Sequence, residues 1–282
     1  MAAPPTIQQS PLRSETKPPG PVLVFENVSV GFEGKPVLEG ISFQLARAES
    51  KAIFGVAGSG KSTILKLAMG LLKPDEGTIY AMGENVTTMK EDDLFELRSK
   101  IGIVFQESAL FDSLTVRENV AFRLMEEHNL SGDEIERRVR EALSFVELER
   151  TINMFPAELS GGMRRRVAIA RAIISHPELL LYDSPTGGLD PVTSTTIVEL
   201  IAKQRDVSKT SSLLVTHRLQ DAFLMATHYF DPKTNCMRPL PPGVQREMST
   251  TFLILREGKA IFDGDLQELR ASKDEYIREF IS

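Results

Sequence analysis

The chain has 282 residues, 41% of them apolar and 26% charged, with a formal net charge of −6 and a pI near 5.4. That composition suits a globular protein with one large or two modest domains around a well-buried core, and the acidic balance speaks against a nucleic-acid groove or a polybasic membrane patch. A single cysteine, Cys236, excludes an intrachain disulfide, and no apolar run approaches the roughly 18 residues that a spanning helix requires.

Residues 1–21 are rich in Pro, Gln and Ser and lack the apolar stretch of a secretory signal, so they read as a disordered, solvated tail. Folding is expected to begin near Val22. VLVFENVSVGF and PVLEGISFQLA, separated by a short turn at EGK, predict an antiparallel β region. KAIFGVAGSGKSTILKLAMGLL then gives a short apolar strand, a Gly-rich turn and a helix, closed by KPDEG.

From about residue 107 to 170 the pattern turns helical. TVRENVAFRLMEEH is one helix. SGDEIERRVREALSFVEL is another, opened by a capping box of Ser131 with Glu134 and carrying Ile135, Val139, Leu143 and Val146 on one face. Strand and helix alternate afterwards in ELLLYD, TSTTIVELIAKQR, TSSLLVTH and LQDAFLMA, which implies a parallel sheet. The Pro-rich stretch from about Tyr229 to Ser249 reads as an irregular inserted surface loop. A hairpin in TFLILREGKAIFDG and a terminal helix or helix pair complete the chain.

Gly55, Val56, Ala57, Gly58, Ser59, Gly60, Lys61 and Ser62 fit the phosphate-binding pattern G-x-x-x-x-G-K-[ST], with Thr63 following in the helix. Glycines allow the backbone to turn its N–H groups toward phosphate oxygens, and the helix that starts near Lys61 adds its positive end. In this pattern the lysine reaches the β- and γ-phosphates and the serine hydroxyl meets Mg²⁺. The apolar strand 179–182 ending in Asp183 places a second Mg²⁺-holding oxygen at the carboxyl edge of the same sheet.

LSGGMRRRVAIARAI, beginning at Leu159, resembles the signature motif of ATP-binding cassette (ABC) ATPases. Phe105–Gln106, Gly188–Asp190 and Thr216–His217 are similar to that family's Q-loop, D-loop and switch histidine, and Phe32 stands where the family stacks an aromatic on adenine. The resemblance runs from about residue 22 to 282. It implies an α/β P-loop cassette with a mostly parallel core sheet, an N-terminal antiparallel β subdomain and an α-helical subdomain. It implies ATP and Mg²⁺ as cofactors, with Gln106 joining Ser62 and Asp183 around the metal. It also implies a homodimer, or a pair of ABC subunits, in which Ser160, Gly161 and Gly162 face the γ-phosphate held by the other copy. Whether Arg164–Arg166 serve the signature or form a solvated helix face stays open at this point.

Within the family, LFDSLTVRENVAF, the arginine-rich signature and the C-terminal ELRASKDEYIREFIS are similar to the Mla/Mce lipid-transport group. That likeness implies an ATPase subunit on the cytoplasmic face of the inner membrane, docked on an MlaE-like permease, with an Mce-domain protein in the complex and phospholipid or another apolar molecule as cargo. No nucleic-acid partner is implied. Two departures stand out: the Pro-rich stretch is long for the family, and the chain stops at Ser282, so a STAS-domain partner is not carried over. At the position of the family's catalytic glutamate stands Ser184, beside the expected catalytic set of Gln106, Asp190 and His217. A hydroxyl can hydrogen-bond an attacking water without accepting its proton. A regulatory subunit that binds ATP with weak or no turnover is therefore an alternative, as is an ABC subunit for a different substrate.

Overall fold

The chain's unbroken apolar runs become buried parallel strands, and its alternating runs become half-exposed antiparallel ones. In the computed structural model, which describes residues 20–126, 130–241 and 249–281, strand β1 (Leu23–Phe32) pairs antiparallel with β2 (Lys35–Leu45). Strand β3 (Ser50–Phe54) is buried at every residue and leads through the Gly-rich turn into helix α1 (Lys61–Ala68). Nearly all of the expected tail lies outside the described residues.

The next segment was not anticipated from the sequence. It holds β4 (Glu76–Ala81), β5 (Glu84–Asn85), helix α2 (Glu91–Ser99) and the four-residue β6 (Ile101–Val104). These elements are short, and α2 announces itself mainly by Glu91, Asp92 and Asp93 in its first turn, where they favour the positive end of the helix. Helices α3 (Val116–Glu126), α4 (Gly132–Phe145) and α5 (Gly161–Ile173) follow, then β7 (Leu179–Asp183), α6 (Pro191–Ser208), β8 (Ser211–Val215) and α7 (Leu219–Thr227). The chain goes on through β9 (His228–Asp231), β10 (Cys236–Pro239), β11 (Thr250–Arg256), β12 (Lys259–Gly264) and the helix pair α8 (Leu266–Ala271) and α9 (Glu275–Ile281).

The central sheet has the order β12-β11-β3-β8-β7-β6, parallel except for the edge strand β12. A second, antiparallel sheet has the order β2-β1-β4-β5. Side chains of β7 alternate between two cores. Leu179 and Leu181 enter the one shared with α1 and the antiparallel sheet, while Leu180 and Tyr182 enter the one beneath α3, α4, α5 and α6. Fully burying each such side chain is worth about 1.5–3 kcal/mol. Among the described residues, no helix is long and apolar enough to cross a membrane.

Two expectations change. Ser131 does cap α4, its Oγ accepting the Glu134 amide at 3.3 Å, but Glu134 does not complete a box. Its carboxylate instead accepts from Arg137 and Arg138, whose guanidinium groups hold it at a pKa of about 2. The Pro-rich stretch is not irregular throughout, because β9 and β10 form a hairpin over its first part. Asp231 closes the turn by accepting from the Lys233 amide and the Thr234 hydroxyl, both at 3.0 Å. Residues 242–248, where its later part falls, lie outside the described residues. The prolines hid the short β-prone pieces HYF and CM on either side of a turn.

Helix α6 receives this hairpin through buried charge. Asp206 accepts the Phe230 amide at 2.6 Å, and Glu199 accepts the Met237 amide at 3.1 Å. Arg205, 3% exposed, grips Asp206 through both Nε and Nη2 and also donates to the Met225 and His228 carbonyls and to Thr250 Oγ1. One guanidinium thus joins α6, the end of α7, β9 and β11. Arg205→Ala is expected to lower unfolding stability by about 3–5 kcal/mol, since it strands the Asp206 carboxylate in the interior; urea titration measures this, and a loss below about 1 kcal/mol would contradict the assigned role.

Candidate functional site

Parallel strands bring their carboxyl ends to one edge of the sheet, and the loops leaving β3, β7 and β8 meet there. The loop after β3 needs glycine at three points, the first being Gly55, where a side chain would run into Ser59 and the Leu255 carbonyl. Gly58 has φ 80° and Gly60 has φ 91°, both in the left-handed region, and a side chain at Gly60 would run into Leu38 of β2. The first helical bond of α1 is Ile64 N–H to the Gly60 carbonyl at 3.1 Å, so the amides of Lys61, Ser62 and Thr63 precede the helical ladder. Lys61 folds back over the loop, and its Nζ donates to the Gly55 and Val56 carbonyls at 2.8 Å each and to Ser59 Oγ at 3.4 Å. Burial lowers the Lys61 pKa, and the nearby Asp183 carboxylate partly opposes that shift.

Ser62 Oγ donates to Asp183 Oδ1 at 3.2 Å. These two oxygens, one at the start of α1 and one at the end of β7, are a donor pair suited to a hard cation that takes its remaining oxygens from a bound ligand and water. Among the described residues no cluster of three or more His, Cys, Asp or Glu side chains is arranged to hold a metal by itself. The residues present therefore fit a magnesium ion shared with a phosphate ligand.

Ser184 follows at φ 46°, a left-handed backbone for a residue with a side chain. Its N–H donates to the Val215 carbonyl at 2.8 Å, and its own carbonyl accepts from the Gly187 amide and from Arg165 Nη1, each at 3.0 Å. Thr186, in the same turn, is buried and donates its hydroxyl to Asp221. Asp221 is also buried and feels the charges of Arg218 and His217, while burial pushes its carboxyl above the usual range. His217 itself is exposed just beyond β8, and Gln106 is exposed just beyond β6.

Asp190 stands apart in its bonding. It caps α6, accepting the Val192 and Thr193 amides at 3.0 Å and the Thr193 hydroxyl at 2.5 Å, and these bonds, Thr193's first, lower its pKa. Ser160 caps α5 by accepting the Met163 amide at 3.3 Å. Gly161 lies against Leu189 and Gly162 against Thr193, so the start of α5 packs on the start of α6. Among the described residues no hydrogen bond or ion pair joins Ser160–Gly162 to the loop 55–63. Phe32 ends β1 with its ring 45% exposed, and the same β1–β2 pairing sets Leu38 against Gly60.

The sequence leaves Arg165 open between a role beside the signature and a solvated helix face. It is 5% exposed, not solvated, and donates to the carbonyls of Ser184, Gln106 and Gly187. Helical phase carried the signal: Arg165 stands three, four and seven residues before Ala168, Ile169 and Ala172, all buried. Its neighbours also reach backbone oxygens, Arg164 that of Leu159 and Arg166 that of Val146. A feature the sequence does not mark is apolar. Phe105, next to Gln106 in the chain, and Phe111, Phe122 and Met125 are 39–49% exposed, with the Phe111 and Phe122 rings 4.6 Å apart. The loop that presents Phe111 is pinned by fully buried Asn119, which bonds Phe111 at both backbone atoms, while Phe122 and Met125 stand on α3.

The family model described as ABC transporter matches residues 38–187. The chain is 38% identical to the protein TRIGALACTOSYLDIACYLGLYCEROL 3, chloroplastic, of Arabidopsis thaliana, over 90% of this chain and 71% of that one. It is 32% identical to the intermembrane phospholipid transport system ATP-binding protein MlaF of Escherichia coli, over 87% of this chain and 82% of that one. It is 35% identical to the methionine import ATP-binding protein MetN of Bifidobacterium longum, but over only 51% of the latter. A solved ATP-binding cassette, dimeric and bound to ADP and Pi in a post-hydrolysis state, superposes with a TM-score of 0.71 at 30% identity, covering 86% of this chain and 98% of that one.

The Asp221 geometry gives a pH prediction. Because its folded pKa is raised above 3.8, the folded state holds this proton more tightly than the unfolded chain does. The associated stability is whole below about pH 4 and fades as pH rises through the folded value. Thermal melts across that window are expected to show Asp221→Asn gaining on the wild type as pH rises; parallel profiles would show that this carboxyl is not the cause.

Proposed function

The chain belongs to the ABC transporter family, and on that premise we propose that it is the ATP-binding and ATP-hydrolysing subunit of a transporter that moves phospholipid or another apolar molecule between membranes. The observation that carries this reading is the Lys61, Ser62 and Asp183 constellation at the carboxyl edge of the sheet. ATP takes its phosphates onto the amides of residues 58–63 and the Lys61 ammonium, which leaves the carbonyls of its own loop to meet them. Phe32 stacks on the adenine. Ser62, Asp183 and Gln106 hold Mg²⁺, which supplies neutralisation of phosphate charge when bound.

Ser184 lacks a carboxylate, so the attacking water is oriented by hydrogen bonds from its hydroxyl, Gln106 and His217. Hydrolysis proceeds because phosphoryl transfer depends mostly on position and charge, at a rate below what a glutamate gives. The separation of Ser160–Gly162 from the loop 55–63 supports a dimer in which each signature meets the other copy's nucleotide. The exposed Phe105, Phe111, Phe122 and Met125 side chains support docking of an MlaE-like membrane permease next to the Q-loop, and the proposed location is peripheral, on the cytoplasmic face of the inner membrane. An Mce-domain protein completes the proposed assembly. Lipid as cargo is supported by the names of the plant and MlaF relatives, which match over most of their length; the shorter match to MetN favours an amino-acid cargo as the second reading.

The test is ATP turnover of the full chain purified with its permease. Wild type is expected to hydrolyse ATP in a vanadate-sensitive manner, Lys61→Ala to lose binding and turnover, and Ser184→Glu to raise the rate by about 10²-fold or more. A silent wild type beside an active Ser184→Glu would make the subunit a nucleotide-gated clamp.

A further inference from the structure

Two loops of the catalytic edge, those after β6 and β7, meet on one buried cation. From this geometry we infer that Arg165 is a positioning residue, which couples the Q-loop, beside the apolar patch, to the turn Ser184–Gly187. The inference rests on the ATPase reading for its kinetic consequence, though not for its structural one.

Arg165 is sunk among backbone oxygens, with no carboxylate in hydrogen-bond contact. Burial lowers its pKa, and Glu107 opposes this only across space. A buried charge without a bonded counter-ion is costly and adds nothing by ion pairing. What the planar guanidinium does provide is several donors in a rigid fork. Here the fork fixes Gln106 O, Ser184 O and Gly187 O relative to one another, leaving Nε buried without a partner among the described residues.

The position of that grip matters because Ser184 sits in a left-handed backbone, a conformation that persists only where surrounding bonds over-determine it. One of those bonds is Arg165's. With a short hydroxyl instead of a long carboxylate at 184, the side-chain oxygen follows the backbone closely, so backbone placement sets water placement. The far side of the coupling is equally direct. Six residues on in α5, Arg171 donates to the Ser108 and Ala109 carbonyls at 2.8 and 2.7 Å. Helix α5 therefore holds the segment 106–109 at two points, immediately before the loop that presents Phe111. Displacement of that loop by an occupant of the aromatic patch pulls on α5, and through Arg165 on Ser184.

The experiment compares wild type, Arg165→Met and Arg165→Lys in the full chain purified with its permease, with ATP as probe. Arg165→Met is expected to lower kcat about 10²-fold while KM for ATP stays within about twofold, and Arg165→Lys to recover part of the loss. Hydrogen exchange of the free subunit is expected to quicken at residues 104–109 and 184–189 and to stay unchanged at 55–63. Wild-type kcat in Arg165→Met, with both segments exchanging as before, would overturn the inference. So would a loss spread over exchange, melting temperature and KM alike in both variants, since that marks a structural role only. A wild type that does not turn ATP over would refute the ATPase reading, and the local exchange pattern would still decide the role of Arg165.

Discussion

A parallel sheet exposes a row of strand carboxyl ends, and the chemistry of this molecule depends on what is crowded onto that row. Lys61, Ser62, Asp183, Ser184 and the approach to His217 all leave strands β3, β7 and β8 at the same edge. Burial on both faces makes the strands straight and rigid, so the loops inherit fixed starting points. The cost is that polar groups gather where the dielectric is low. The structure meets it locally: Lys61 borrows carbonyls from its own loop, Thr186 donates to Asp221, and Arg165 donates to the carbonyls of Gln106, Ser184 and Gly187.

The nucleotide loop is not set by its own residues alone. Gly60 abuts Leu38, which belongs to the antiparallel sheet, and a side chain at Gly55 would meet the Leu255 carbonyl of β11. Two sheets and the chain's last third therefore shape a loop whose motif spans only eight positions. The same holds at the start of α5, where a side chain at Gly162 would meet Thr193 of α6.

Much of this was legible in advance. The glycine pattern with Lys61 and the apolar strand ending in Asp183 are local signals, each written in adjacent residues, and each falls where the sequence places it. The strand–helix alternation after residue 178 likewise gives the parallel sheet. Less legible were features defined by distant neighbours. Arg165 is one of three adjacent arginines whose role the sequence leaves open until helical phase sets it against the core. Strand β6 is four residues long and needs Ala172 and Leu180 across from Gly102 to make sense. The β9–β10 hairpin borrows acceptors from Asp206 and Glu199, more than 20 residues upstream, which no local pattern reveals. Asp190 is expected in the catalytic set, and its additional role as the cap of α6 is not marked by the motif that carries that expectation.

The strand order carries a consequence for biogenesis. Strand β3, which aims the phosphate loop, finds its two neighbours at Ser50↔Ser212 and Ser50↔Thr250. While the chain is being synthesised, neither exists until most of it has left the ribosome. The antiparallel sheet near the N-terminus pairs early, but the strand behind the nucleotide loop stays uncovered until β11 emerges. Closing such distant pairings is slow and leaves apolar edges exposed meanwhile. The sheet behind the nucleotide loop is thus complete only once residues 211–215 and 250–256 have emerged, and a shorter nascent chain lacks the full frame of the ATP site.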